Sequence, residues 1–376
     1  MRYKKKMRAI TALLLAVSML TACGSTGNSA TSQAAESTST ASSEPVDRQI
    51  FAMTTVMNLR AYGKKANDAL DAAEEEIKKL DSELSIGNAD SEVYAINKNG
   101  GGTLTEDTAA LTEASLKLSA DTDGAFDFTI APLMDLWGFT TLFQEETEST
   151  EAQVEATVDS IPTQEEINQV LPRVNSKNVS YDADSKTLKL GDGQQIDFGG
   201  IAKGYTSQKI MEIYEKYGLT GGIAELGGNV QVMGAKPDGS PWKVGIEDPS
   251  DTSQMLGVLS LTKASTVITS GGYERYIKDK DGNVYHHILD PSTGYPADNG
   301  LTSVSIIMED GSEADGLSTA LYVMGKDKAI SYWRNHAYEF DTILMTDDGK
   351  LLVTEGIADA FSSDNYTPEI IKKDAS

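Results

Sequence analysis

One cysteine in the whole chain excludes an internal disulfide, so stability has to come from core burial or from bound ligand. No membrane-spanning helix is indicated either. The apolar stretch Ile10 to Leu20 is well short of the roughly 20 residues that a bilayer requires. Positive charge is scarce, with 32 Lys and Arg against 57 Asp and Glu and a formal net charge of −25. Such a surface repels nucleic-acid phosphates and anionic lipid headgroups. An anionic substrate would need local neutralisation by a divalent cation or by lysine. Only three histidines occur. Two are adjacent, His286 and His287, and neighbours on a strand point to opposite faces with no cysteine nearby, which argues against zinc. No Gly-x-Gly-x-x-Gly fingerprint, Walker A loop or internal repeat is found.

What is present begins with an address. Arg2, Lys4, Lys5, Lys6 and Arg8 form a basic n-region, followed by the short apolar stretch and Leu20-Thr21-Ala22-Cys23. This resembles a bacterial lipobox, with residues 1–22 as a signal peptide and Cys23 as the lipidation site. Removing residues 1–22 would remove five cations and no acid, moving the net charge from −25 to −30. The expected location is the extracytoplasmic face of a bacterial cell membrane, anchored through Cys23. Residues 23–47 are rich in Ser, Thr and Ala and read as a flexible tether, because they offer too little apolar surface to offset chain entropy. One domain is expected over 48–360, with a C-terminal tail at 361–376.

Within that domain Ile50 to Tyr62 reads as an opening strand. Ala66 to Leu84 carries Ala69, Ala72 or Ala73, Ile77, Leu80 and Leu84 at helical spacing. Glu106 to Ala120 is a second helix, with Thr105 as N-cap. Thr129 to Phe139 is apolar and reads as buried. Residues 144–166 carry no basic residue and read as a solvated acidic insertion, in which Thr163 opens a capping box. Val179–Tyr181 and Thr187–Leu190 suggest a hairpin, and Ile196-Asp197-Phe198 a strand leading through Gly199-Gly200 into a helix from Ala202 to Tyr217. Gly221 to Gly234 reads as a strand pair. Further strands are expected at 244–246, 257–261, 265–269, 303–308, 343–346 and 351–354, with a helix at 314–324. Strands and helices without a βα repeat indicate an α+β fold.

Five separated segments carry the chemistry. Gly124-Ala125-Phe126-Asp127 places small residues before a ring and a carboxylate, suited to a planar ligand or, alternatively, to a capping Asp. Asp197-Phe198-Gly199-Gly200-Ile201-Ala202-Lys203-Gly204-Tyr205 offers amide N–H groups at a helix start, where phosphate is favoured. The helix dipole disfavours Lys203 there unless an anion is bound; a tight turn with a solvated lysine is the other reading. Thr269 to Tyr276 is a polar strand end followed by aromatics. His286 to Pro296 contains an Asp-Pro-x-Thr-Gly turn. Asp315 and Thr319 stand at i and i+4 on a helix start, a hard-oxygen pair suited to Mg²⁺, or else an N-cap with a packed threonine.

In order and combination these segments, with Met53-Thr54 and Leu136-Trp137-Gly138-Phe139, resemble the FAD:protein FMN transferase (ApbE) family over about residues 48 to 356. The resemblance implies an α+β fold with mixed and antiparallel sheets, flanking helices and a deep FAD-binding groove. It implies FAD as substrate, with contacts from Met53, Ala125, Phe126, Asp127, Asp197, Lys203 and Leu289. It also implies Mg²⁺ held by Gly200 through its backbone, Asp315, Ser318 and Thr319. Gly87, in Ile86-Gly87-Asn88-Ala89-Asp90-Ser91-Glu92, stands where many members carry a stacking aromatic, and is counted with the FAD contacts.

The implied activity is attack of a Ser or Thr hydroxyl of an acceptor flavoprotein on the FMN-side phosphorus, with AMP leaving. The acceptor residue usually lies in an Asp-x-x-[Ser/Thr/Ala]-Gly-[Ala]-[Thr/Ser]-like motif. Lys203 would stabilise charge, and His287 and Asp127 are both candidates for the base. Hydrolysis of FAD to AMP and FMN, and a non-catalytic flavin-binding lipoprotein, remain as alternatives.

Overall fold

The computed structural model describes residues 44–144, 154–336 and 339–373. The signal peptide, Cys23, most of the tether and residues 145–153 of the insertion lie outside these. Among the described residues no helix is long and apolar enough to cross a membrane.

The frame is a nine-stranded sheet whose strands follow one another in space in the order they occur in sequence. These are Val46–Ala52, Thr55–Tyr62, Gly221–Leu226, Asn229–Met233, Ala264–Gly271, Leu301–Met308, Asp341–Thr346, Leu351–Thr354 and Glu369–Ile371. Neighbours pair antiparallel except the last two, which are parallel. The α+β architecture with antiparallel and mixed sheets is as expected.

Helices cover one face of this sheet. Ala66–Leu84 buries Ala69, Leu70, Ala73, Ile77, Leu80 and Leu84, of which Ala73 settles the pair left open by periodicity. With Ile210, Met211 and Tyr214 of the helix Ala202–Lys216, it packs on Met57, Leu59 and Ala224 of the sheet. Thr105 caps the helix Glu106–Asp121 by accepting from the Thr108 N–H. The helix Gly311–Met324 is capped by Asp310, whose side chain accepts from the Glu313 N–H, so Asp315 lies inside the helix and is not its cap. Behind the opposite face a three-stranded sheet including Trp242–Asp248 and Asp251–Leu261 packs Trp242, Val244, Ile246 and Leu259 against Val232, Val267, Ile307 and Ile343.

Several expectations need correction. The opening segment is two strands, because Met53 and Thr54 adopt positive φ (48° and 58°) and turn the chain as a hairpin. Residues 196–198 form no strand. The Asn97 side chain takes their place in a ladder, accepting from the Ile196 N–H at 2.7 Å and donating to its carbonyl at 2.9 Å. The described end of the acidic insertion is not a solvated loop. Val154–Thr157 pairs parallel with Arg275–Lys278, and Ala156 and Val158 are buried. The capping box at Thr163 and Glu166 is present. The chain beyond 360 is no tail, because Phe361–Ser362 pairs with the strand Asp251–Leu261 and Glu369–Ile371 completes the main sheet. At the other end the first strand begins at Val46. The helices Glu92–Asn99 and Lys326–Asn335 were not anticipated.

Candidate active site

A groove of about 770 Å³ lies between the end of the main sheet and the loops around it. Every expected FAD contact lines it: Met53, Gly87, Ala125, Phe126, Asp127, Asp197, Lys203 and Leu289. Gly200, His287, Asp315 and Thr319 line it as well, and Ser318 does not.

Met53 is placed by the hairpin turn, and its N–H donates to Asp81 Oδ1 at 2.9 Å. Gly87 is exposed in the link between two helices. Ile86 lines the groove beside it and packs on the core. Phe126 is buried, and a Cβ on Gly200 would sit 3.3 Å from its ring, so this glycine lets the loop close over the aromatic.

Asp127 behaves as a capping residue. Oδ1 accepts from the Thr129 N–H and hydroxyl at 2.9 and 2.6 Å, and Oδ2 accepts from the Ser176 N–H at 2.8 Å. Both oxygens are committed to holding loops, which removes Asp127 as the base candidate.

Asp197 accepts from the Gly199 N–H at 2.7 Å. Burial pushes its carboxyl pKa up, opposed by that N–H and by Lys203. The Ile201 and Ala202 N–H groups both turn to the Phe198 carbonyl. The phosphate cradle is therefore narrower than a run of free amides after Gly199. Lys203, in the first turn of its helix, has no ion-pair partner within 4.0 Å among the described residues, and faces the groove.

Asp315 is 5% exposed, and its Oδ2 accepts from the Gly204 N–H at 2.8 Å, tying the two helices together. Thr319 Oγ1 lies 3.3 Å from Ser270 Oγ, and a Cβ on Gly200 would come within 3.8 Å of it. The Thr319 hydroxyl and the Gly200 backbone are thus close, and Asp315, one turn earlier on the same helix, lines the same groove. No cluster of three or more His, Cys, Asp or Glu that could hold a metal occurs among the described residues. A sparse set of hard oxygens fits Mg²⁺, which keeps water and takes phosphate oxygens, and would not suit a zinc-type site. Ser318 does not fit the metal role. It is fully buried, donates to the Asp315 carbonyl at 2.7 Å and meets Ser270 Oγ at 2.7 Å, bracing the helix against the strand.

The two histidines diverge as alternation requires. His286 Nε2 contacts the Ala297 carbonyl at 2.9 Å and its ring meets Tyr322, whereas His287 faces the groove. His287 Nδ1 lies 3.1 Å from the Arg275 carbonyl, which fixes Nδ1 as the proton-bearing nitrogen and puts the lone pair on Nε2. Burial, reinforced by Arg275, His286 and Lys203, lowers its pKa to about 3. The ring is neutral at physiological pH and so can accept a proton, but the burial and cations that keep it neutral also make it a weak base until a bound anion offsets them.

Several groove residues were given no role from sequence. Glu274 has its pKa raised to about 7 by burial, against the pull of Lys203 and Arg275. The buried Asn229 Nδ2 and Thr140 Oγ1 have no hydrogen-bond partner among the described residues. Thr269 to Tyr276 stood out as polar, which was the available signal for Ser270 and Glu274. Nothing local marks Asn229 or Thr140.

The sequence pattern of the ApbE family matches residues 53–344. The chain belongs to the ApbE family. It is 29% identical over 328 residues to the FAD:protein FMN transferase of Treponema pallidum, covering 81% of this chain and 85% of that one. The ApbE protein of Thermotoga maritima shares the fold with a TM-score of 0.76 and 33% identity, over 85% of this chain and 100% of that one. The apo flavinyl transferase ApbE of Pseudomonas stutzeri aligns with a TM-score of 0.71 and 27% identity, covering 85% and 98%. The family match spans the groove from Met53 through Thr319.

Proposed function

We propose that this chain transfers FMN from FAD to a Ser or Thr hydroxyl of an acceptor protein, releasing AMP, with Mg²⁺ required. The observation that carries the reading is the convergence of Lys203, Asp315, Thr319 and a neutral His287 on one groove in a chain of this family.

FAD occupies the side of the groove lined by Met53, Gly87, Ala125, Phe126, Asp127, Asp197, Lys203 and Leu289, with its diphosphate near the start of the Ala202–Lys216 helix. Bringing two phosphates into a chain of net charge −25 is the main electrostatic obstacle. Lys203 offsets it directly. A unit charge about 4 Å from a phosphate oxygen is worth about 4 kcal/mol at an effective dielectric of ~20. Mg²⁺ held by Asp315, Thr319 and the Gly200 backbone would supply further neutralisation of the phosphates as charge develops. His287 Nε2 takes the proton of the acceptor hydroxyl as its oxygen bonds to the FMN-side phosphorus. The bond from that phosphorus to the bridging oxygen breaks, AMP leaves with the electron pair, and the proton passes from His287 to solvent. Lipid anchoring through Cys23 would place this chemistry on the extracytoplasmic membrane face, near membrane-associated flavin carriers.

The test is incubation of the purified chain with FAD, Mg²⁺ and a carrier domain bearing the acceptor motif. Flavin fluorescence should survive denaturation on the carrier, with one AMP released per flavin attached. Asp315→Ala should abolish labelling in a folded protein. AMP released without labelled carrier would identify a hydrolase instead, and FAD bound without any AMP would identify a flavin-binding lipoprotein.

A further inference from the structure

The transfer reaction needs two substrates in one groove, and the groove has a second arm that the expected FAD contacts do not use. This arm runs between Ile223 and Glu225 on the main sheet and Gly245, Glu247 and Met255 on the smaller sheet. It opens at Asn58 onto sheet surface that the smaller sheet leaves uncovered. There Phe51, paired with the groove residue Val56, is 42% exposed, and Met255, which lines the arm, is 41% exposed. Only four large hydrophobic side chains are this exposed among the described residues, and one that lines the groove together with one paired to its lining residue Val56 marks a contact surface.

The charge of the arm decides what it accepts. Glu225 and Glu247 line it with one cation, Lys243, whose ammonium donates to Ser260 Oγ at 2.5 Å, whereas Glu274 belongs with Lys203 and Arg275. Burial, and then the neighbouring Glu225, push the Glu247 carboxyl pKa up, which places the two carboxylates near each other. An anionic trough repels a diphosphate, which leaves the nucleotide to the Lys203 side. It suits polypeptide, whose N–H groups and basic side chains pair with carboxylates.

We propose that the Glu225–Glu247 trough and the adjoining open sheet face with Phe51 form the docking surface for the acceptor protein. An extended acceptor segment lies in the trough with its target hydroxyl toward His287, apolar side chains on Phe51 and Met255, and basic or N–H groups on the glutamates. This rests on the FMN-transfer reading.

The experiment compares wild-type chain with Phe51→Ser/Met255→Ser and Glu225→Lys/Glu247→Lys. Labelling of the carrier domain is followed at varied carrier concentration, and FAD affinity is measured by flavin fluorescence titration. Both double variants should raise the KM for carrier about tenfold or more, as loss of central interface contacts does. FAD affinity should be retained, which also shows that the variants are folded. Variants with wild-type carrier KM, or a loss that appears in FAD affinity, overturn the inference while leaving the transfer reading intact. So does sedimentation showing that Phe51→Ser/Met255→Ser only breaks self-association of this chain. A wild-type chain that labels no carrier overturns the transfer reading, and this inference with it.

Discussion

Replacing Gly204 by alanine tests whether the two site-bearing helices must touch backbone to backbone. Helix propensity alone predicts a gain of about 1 kcal/mol, since Gly204 lies within the helix Ala202–Lys216. The structure predicts the opposite sign. A Cβ at Gly204 would lie 2.0 Å from the Gly311 carbonyl oxygen and 2.6 Å from Asp315 Cβ, and a Cβ at Gly311 would lie 2.4 Å from the Gly204 carbonyl. Backbone cannot swing aside as a side chain does, so the helices must separate by about 1 Å to restore ordinary contact. Overpacking of this kind costs at least about 1 kcal/mol. Loss of the 2.8 Å bond from the Gly204 N–H to Asp315 costs at least about 1.5 kcal/mol. Set against the propensity gain, the net loss is at least about 1.5 kcal/mol. Urea unfolding measures it, with Gly102→Ala as control, because a Cβ there meets only Ile96 Cγ1 at 4.0 Å. The same displacement moves Asp315 and Thr319, which share a helix, away from Lys203 on the other, and a shift of about 1 Å in a reacting constellation costs about a hundredfold in rate. Gly204→Ala with wild-type stability and wild-type labelling of the carrier would refute the reasoning.

Thr319→Val should raise the Mg²⁺ concentration for half-maximal transfer at least about tenfold, while Ser318→Ala leaves it unchanged and loses about 1 kcal/mol of stability from its two hydrogen bonds. Equal shifts in a Mg²⁺ titration would reject the distinction between them. His287 should give no inflection near pH 6.5 in the transfer rate. Between about pH 6.5 and 3 the unfolded chain binds a proton that the folded one does not, so stability falls with falling pH by up to about 1.4 kcal/mol per unit. His287→Gln should remove that slope from acid unfolding curves. For Glu274, raised to about 7, the sign is reversed. Its neutral form is favoured by the fold, so its contribution to stability is present below the unfolded value and is lost as pH rises toward 7 and above. Above pH 7 its carboxylate competes for Lys203, so FAD affinity should fall from pH 6 to 8, and Glu274→Gln should hold the pH 6 affinity at pH 8.

The parts of this protein that were legible in sequence are those whose physics is local. The Ala66–Leu84 helix shows its buried stripe as periodicity, and Thr105 and Thr163 cap helices by bonding N–H groups three residues on. The hairpin around Asp348-Gly349 follows from turn chemistry, with Gly349 at φ 80°. The errors lie where a distant side chain replaces a local rule. Asn97 holds Ile196 across 99 positions, and a parallel strand at 154–157 gains its partner only at 275–278. Nor could the turn at Met53-Thr54 be seen, because neither residue is a usual choice for positive φ.

The candidate site divides along the same line. Binding a diphosphate requires consecutive backbone and a lysine within one turn, and holding a cation on a helix requires spacing of four. Asp197 to Tyr205 and Asp315 to Thr319 therefore survive as readable segments. A protein-docking surface carries no such constraint. Phe51, Asn58, Glu225, Glu247 and Met255 come from five different strands, the first four at outward positions that alternate with core residues and Met255 at the end of an exposed run. In sequence each is an ordinary exposed residue of an amphipathic strand; only sheet register sets Asn58 beside Glu225 and Glu247 beside Met255. Selection on acceptor recognition can therefore act one strand at a time without disturbing the phosphate loop. Exchange of these five side chains between family members should accordingly move carrier preference while the FAD requirement stays fixed. If carrier preference instead followed the Asp197–Tyr205 loop, the two functions would share residues and the division drawn between the arms of the groove would be wrong.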